Sequence, residues 1–329
     1  MRAIVRKNYG GPEQLELQDR PEPEPSPGSV VIRVRALGLN HAEIYFRMGL
    51  WGDVAEISGI ECVGEVKADP AGHLEPGQKV LALMGGMGRS INGSYADYVN
   101  VPAAHVVPID TALPWEELAA LPESYATAWI SLHRNLELAA GQTLLIRGAT
   151  SALGQAAVNI ASAAGARVIA TTRNPDRQAT LNRIGAAQVL LDAPDLASRV
   201  RHHHPRGIDA VLDIVGNTTL LDSLAMVRPG GRVCMVGFLG GADPIPKFDP
   251  LLHLPSGVQL SFFASAFMFG TPEYPLSAIP FQELVNHAES GRYKAKPAKT
   301  FRLEEMQNAH RLMEAGQANG KIVVTLGTD

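Results

Sequence analysis

Two rhythms of hydrophobic and polar positions divide the chain. Over the first third, VVIRVRALGL (residues 30–39), ECVGEVKAD (61–69) and QKVLAL (78–83) alternate apolar and polar residues. A period of two predicts strands with one face buried and one wet. Between them, PEPEPSPG (21–28) and HLEPGQ (73–78) concentrate the Pro and Gly that force turns. The acidic proline run reads as a solvated connector. This region is expected to form a β-rich domain, a partly open barrel.

From about Leu118 the runs become wholly apolar and alternate with helices. TLLIRG (143–148), RVIATT (167–172), QVLLD (188–192), AVLDIVG (210–216) and RVCMVGF (232–238) each fit a strand buried on both faces. ALGQAAVNIASAAG (152–165) has the small and apolar spacing of a helix packed on such a sheet. Repeated strand–helix–strand units predict a doubly wound parallel α/β sheet. Residues 281–326 carry amphipathic helices and end in the short strand KIVVTL. That segment lies outside the sheet's rhythm and is expected to return to the first domain. The expected division is therefore 1–118, 119–265 and 266–329.

The most informative segment is TLLIRGATSALGQAAVNIA, where a buried strand runs through Gly148-Ala149-Thr150-Ser151-Ala152-Leu153-Gly154 straight into a helix. Such a turn aims backbone N–H groups and a helix N-terminus at one point, which suits a pyrophosphate. Thr150, Ser151, Ala152 and Leu153 are the expected phosphate contacts, with Gly154 letting the helix approach the strand. The middle glycine of the G-x-G-x-x-G fingerprint is replaced by Ser151. With four more apolar strands following, the segment reads as a Rossmann-type dinucleotide site.

An NAD-type site places Asp or Glu at the end of the next strand, where it binds the ribose. Here that end reads Thr171-Thr172-Arg173. Losing the carboxylate removes a repulsion, and a guanidinium pairs with a phosphate through two hydrogen bonds. Thr172 and Arg173 therefore predict NADPH. Arg177 fits a second phosphate contact or an ordinary surface charge. Asp176 follows Asn174-Pro175, which reads as an N-cap and first helical residue, so it is expected to face the helix.

Composition narrows the class. A chain of 329 residues exceeds what one core usually serves. Hydrophobic residues make up 46% and charged residues 19%, as in globular proteins. A net charge of −4 gives no reason to expect nucleic acid or an anionic membrane. No apolar run reaches the roughly 20 residues of a membrane span, and MRAIVRKNYG lacks a signal peptide's apolar block. Cys62 and Cys234 sit in apolar runs and read as buried free thiols. A cytoplasmic enzyme is the expectation. His202-His203-His204 is a conceivable metal handle but reads as a solvated turn before PRGID.

These features, in this order, resemble the medium-chain dehydrogenase/reductase superfamily, in its zinc-free quinone oxidoreductase branch. The resemblance is carried by MRAIVRKNYGGPEQLEL (1–17), GLNHAEIYFRMG (38–49), GIECVGEV (59–66), NGSYADYV (92–99), GQTLLIRGATSALGQAA (141–157), GIDAVLDIVG (207–216) and MEAGQANGKIVV (313–324). It implies a Rossmann domain inserted into a discontinuous GroES-like catalytic domain, an active site in the cleft, and dimers formed through cofactor domains. It also implies that Gly237 and Phe238, after CMV, and Asn319 and Lys321, in the tail, lie near the cofactor. Phe238 also fits packing, and Asn319-Gly320-Lys321 also fits a turn into the last strand.

Zinc-dependent relatives place a Cys ligand where this chain has Asn40 and a His where it has Ile60, and their cysteine lobe is absent. Zinc needs about four N, S or O ligands, so no metal is expected. Without it, reduction of an already activated acceptor, a quinone or an α,β-unsaturated carbonyl, is favoured over alcohol oxidation. The alternatives are an enoyl-thioester or other activated-alkene reductase, and an NADPH-binding sensor or structural protein without catalysis. The resemblance places Asn40, Tyr45 and Trp51 at the acceptor. Asn40 and Tyr45 have groups to donate to its oxygen, and Trp51 can stack; Tyr45 and Trp51 fit packing beside Phe46 as well. Glu61 fits a family position and, equally, a pairing within its own domain.

Overall fold

The computed structural model describes residues 1–327. The chain divides into two compact units. One comprises Met1–Glu123, Ser265–Gly291 and the segment from Ala295 onward; the other comprises Ser124–Ala264 with Arg292–Lys294.

The first unit opens with an antiparallel pair, β1 (Arg2–Arg6) and β2 (Leu15–Asp19). There follow β3 (Ser29–Gly38), β4 (Glu61–Ala68), β5 (Lys79–Leu83), β6 (Tyr98–Pro102) and β7 (Val106–Pro108). The chain then forms the second unit's strands: β8 (Thr143–Arg147), β9 (Arg167–Thr172), β10 (Gln188–Leu191), β11 (Ile208–Asp213), β12 (Val227–Met235) and β13 (Gln259–Phe262). It returns to the first unit for β14 (Lys299–Arg302) and β15 (Ile322–Thr325).

The larger sheet of the first unit has the order β14-β15-β3-β4-β5-β7, with β6 also paired to β3. Strand β3 binds β6 through its first half and β15 through its last residues, and its register against β4 shifts twice. Such bulges bend a strand, which is how one strand serves two neighbours on the same side and curls the sheet without closing it. β3 is consequently buried almost throughout rather than on alternate residues. Its core side chains Val30, Ile32, Val34 and Leu37 pack with Cys62, Val80, Val99, Ile322 and Val324.

The second unit is the doubly wound parallel sheet, ordered β10-β9-β8-β11-β12-β13. Strand order reverses between β8 and β11, where such sheets open a crevice at their carboxyl ends. Its core holds Leu145, Ile169, Val211, Leu224 and Val233. Two strands depart from the sequence expectation, both because they are edges. β10 is only half-buried, with Leu191 exposed. β13 alternates Gln-Leu-Ser-Phe, a pattern absent from the apolar runs, and exposes Leu260 by 39% and Phe262 by 53%. Among the described residues no helix is long and apolar enough to cross a membrane.

Candidate functional site

In the second unit, β8 ends at Arg147 and turns through Gly148 (φ +81°) into the helix Ala152–Ala163. Ser151 caps that helix: its hydroxyl accepts from Gly154 N–H at 3.0 Å and donates to the Gly148 carbonyl at 2.8 Å. Gln155 N–H is taken by the Ser151 carbonyl. The amides of Ala152 and Leu153 are left without an acceptor among the described residues, at the positive end of the helix. Ser151 thus replaces the fingerprint glycine with a capping hydroxyl, and its φ of −69° needs no glycine. Gly154 has no such freedom. A Cβ there would lie 2.5 Å from the Gly148 carbonyl oxygen and 2.6 Å from Ala149 Cα.

The turns after β11 and β12 meet this loop. A Cβ on Gly216 would lie 2.4 Å from the Gly237 carbonyl oxygen, one on Gly237 2.6 Å from that of Ile214, and one on Gly148 3.3 Å from Ile214 Cβ. Asp213, buried at the end of β11, holds its turn through Val215 N, Gly216 N, Thr219 Oγ1 and Ser223 Oγ. Burial raises its pKa. Half-buried Phe238 meets the Phe262 ring edge-on at 5.7 Å.

At the end of β9, buried Thr172 bonds through its hydroxyl to the backbone of Asn174. Asn174 caps the short turn Pro175–Arg177 by accepting from Asp176 N–H at 2.9 Å. Arg173 is exposed and has no hydrogen-bond or ion-pair partner among the described residues. Arg177 is half-buried.

The first unit carries a buried polar network. Glu61 is wholly buried; its carboxylate takes Lys321 Nζ at 2.5 Å, Asn40 Nδ2 at 2.8 Å and Glu123 N–H at 2.7 Å. Lys321 also donates to Asn40 Oδ1 at 2.8 Å. Gly38 leaves room for this, since a Cβ there would lie 2.3 Å from Lys321 Cε. Beside it, buried Glu43 accepts from the backbone of Asn40 (2.8 Å) and Ile60 (3.0 Å) and from Tyr95 Oη (2.7 Å). Tyr95 Oη also lies 3.0 Å from His310 Nε2. Burial raises Glu43 to about 7 and lowers His310 to about 3.

Both ends of the Asn40 amide are engaged inside the unit, and the Lys321 ammonium is buried against Glu61. The physical reason is Glu61, a buried carboxylate that requires a cation and hydrogen bonds. Asn319 adopts φ +53° in the turn before β15. Tyr45 is half-buried on the helix Ala42–Met48, its ring 5.1 Å from that of His41, and desolvation raises its pKa. Trp51 stacks on Phe267 at 6.0 Å and meets Phe46 edge-on.

Known proteins are similar to this chain in sequence and in fold. The family described as alcohol dehydrogenase GroES-like domain matches residues 26–111, and that described as zinc-binding dehydrogenase matches residues 152–279. One component protein of the phenolphthiocerol/phthiocerol polyketide synthase of Mycobacterium tuberculosis is 29% identical over 99% of this chain, which spans 15% of that protein's length. Human quinone oxidoreductase is 28% identical, with 99% of this chain and 98% of that protein covered. A mycobacterial protein solved in complex with NADPH superposes with a TM-score of 0.88 at 27% identity, over 99% of this chain and 100% of that one. The chain belongs to the medium-chain dehydrogenase/reductase superfamily, in its quinone oxidoreductase branch.

Against that family, the two positions of the zinc ligands are telling. Glu43 binds the backbone N–H of both Asn40 and Ile60, yet Ile60 offers no donor side chain. Asn40 Oδ1 already faces an ammonium, which would repel a divalent ion. The residues present do not fit a metal there. Sequence reading missed Glu43, Tyr95 and His310, and it missed Arg147 and Asp192 beneath the nucleotide loop. Arg147 and Asp192 sit at strand ends and Glu43 and His310 in short helices, each with a side-chain partner far away in the chain.

Proposed function

We propose that this member of the superfamily is an NADPH-dependent oxidoreductase that reduces a quinone or an α,β-unsaturated carbonyl by direct hydride transfer, without a metal ion. The observation that carries the reading is the pairing of an open helix N-terminus with an unpaired guanidinium. The Ala152 and Leu153 amides receive the pyrophosphate, and Arg173, on the turn that the Thr172 hydroxyl braces, receives the 2′-phosphate that an acidic strand end would repel. Gly237 and Phe238 follow the neighbouring strand and line the same crevice. When bound, NADPH supplies the hydride. Quinone oxidoreductase relatives and the NADPH complex of a structural neighbour support this.

On the acceptor side, Tyr45 is the remaining polar group of the three expected. Its raised pKa keeps the hydroxyl protonated at neutral pH, ready to donate to an oxygen as negative charge develops. Trp51 supplies a flat wall already stiffened by Phe267. Two buried free thiols suit a reducing cytoplasm. The open edge of β13, with Leu260 and Phe262 exposed, suits pairing with a second copy.

The test is kcat/KM for NADPH and NADH in wild type and Arg173→Ala, across quinones, enones and enoyl thioesters. A charge-assisted bond to phosphate predicts roughly a ten- to hundredfold NADPH preference that shrinks in the variant. Equal use of both cofactors by wild type, or turnover with none of the acceptors, would sink the proposal; turnover restricted to enoyl thioesters would move the substrate class.

A further inference from the structure

The ends of β9 and β10 pose a question of charge. Leu191 pairs with Thr172, and Asp192 N–H donates to the Thr172 carbonyl at 2.9 Å. Pairing ends there, and Asp192 and Arg173 are the residues that follow directly on the last paired positions of the two adjacent strands. Strands about 4.8 Å apart bring such neighbours within easy reach of an ion pair. They do not form one. Arg173 is exposed and without a partner among the described residues, and the Asp192 carboxylate is turned inward.

What holds Asp192 is Arg147, the last residue of β8. Its guanidinium engages Asp192 through Nε (3.1 and 3.2 Å) and Nη2 (2.7 Å), and Thr171 Oγ1 adds a contact at 3.3 Å. Arg147 is only 3% exposed and is itself pinned from the other side. Nη1 donates to Asp222 at 2.7 Å and to the Thr219 carbonyl at 3.2 Å, and across the β8–β11 switch point Arg147 stands in register with Asp213. A fork-shaped, buried pair outcompetes a pair in open solvent, where screening leaves little net attraction.

We propose that Arg147 is a specificity-determining residue for the nucleotide, acting from beneath the site. By sequestering Asp192 it leaves Arg173 free and keeps a carboxylate away from the 2′-phosphate. The nucleotide need not touch Arg147; the residue positions charge on the strand end next to the reader. A lysine would not substitute, because one ammonium cannot engage both Asp192 oxygens and Asp222 in the plane the fork provides. The inference rests on the proposed role of Arg173.

The experiment measures dissociation constants for NADP⁺ and NAD⁺ by calorimetry on the full chain, so no acceptor is needed. Wild type is expected to favour NADP⁺ by roughly tenfold or more. In Arg147→Gln the preference should fall at least fivefold, chiefly through NADP⁺, as the released Asp192 pairs with Arg173. Arg147→Gln/Asp192→Asn should restore it to within about twofold. Asp192→Asn alone should leave the preference within about twofold, because Asp192 is already silenced, and this arm stands even where Arg147→Gln fails to fold. Equal weakening of both nucleotides in Arg147→Gln, no restoration by the second substitution, or a severalfold rise in Asp192→Asn would overturn the inference while leaving the cofactor reading intact. A wild type without preference would overturn both.

Discussion

Replacing Lys321 with Met separates a structural role from a cofactor role. The side chains of Lys321 and Glu61 are 4% and 0% exposed. Removing the ammonium leaves the Glu61 carboxylate buried with, among the described residues, Asn40 Nδ2 and Glu123 N–H for partners. Breaking a buried ion pair from one side costs about 3–5 kcal/mol, because the remaining charge is stranded away from water. For a unit of this size each kcal/mol corresponds to roughly 2–4 °C, so melting of the first unit should fall by on the order of 10 °C. Adding Glu61→Leu removes the stranded charge and should recover most of the loss. The assay is a thermal melt followed by circular dichroism, with NADP⁺ affinity measured on the same samples. A melting shift under about 2 °C accompanied by a tenfold loss of NADP⁺ affinity would refute the structural reading and return Lys321 to the cofactor.

Other outcomes follow from the same geometry. Gly154→Ala drives a Cβ into backbone atoms at 2.5–2.7 Å. Overpacking of that kind costs about 1–3 kcal/mol, and NADP⁺ titration should show affinity weakened about tenfold; an unchanged affinity would mean that the loop tolerates the displacement. Tyr45→Phe should lower turnover on the preferred acceptor by about a hundredfold while NADPH binding is held, and equal turnover would make Tyr45 a packing residue. Metal analysis should find no stoichiometric zinc, with activity surviving chelation; one zinc per chain whose removal abolishes activity would contradict the donor set at Asn40 and Ile60.

Stability against pH tests the Glu43–Tyr95–His310 chain. Glu43, raised by burial to about 7, keeps its proton where an unfolded Glu has lost it, so its contribution falls as pH rises from 4.5 to about 7. His310, lowered by burial to about 3, stays neutral where an unfolded His is charged, so its contribution falls as pH drops from 6.5 to about 3. The slopes oppose each other between 4.5 and 6.5, which should leave wild type nearly flat there. His310→Phe should expose the Glu43 slope, losing on the order of 3 kcal/mol between pH 4.5 and 7 in urea unfolding. A flat profile in that variant would show that Glu43 does not change charge in this window.

How far the chain could be read depended on the range of the interaction concerned. The parallel sheet announced itself because strands buried on both faces must be apolar throughout, and the nucleotide turn because a strand, small residues and a helix start are contiguous in GATSALG. The absence of an acid at Thr172-Arg173 was visible for the same reason. β10 and β13 were misjudged or missed because burial at an edge depends on which strand lies alongside, not on the strand's own residues.

Local order therefore established the fold class, the strand–turn–helix of GATSALG and the charge at the end of β9. Folding alone decided where the buried charges go. Asn40 had read as a donor to an acceptor and Lys321 as a cofactor contact. What neither reading contained is that Lys321, 260 residues from Glu61, is drawn to it when β15 pairs with β3, and that Asn40 bonds to both. Arg147 meets Asp192, 45 residues away, only once three strand ends stand side by side. A charged side chain does not carry its partner's address. In an interior that penalises unpaired charge, the partner is whichever opposite charge the topology delivers.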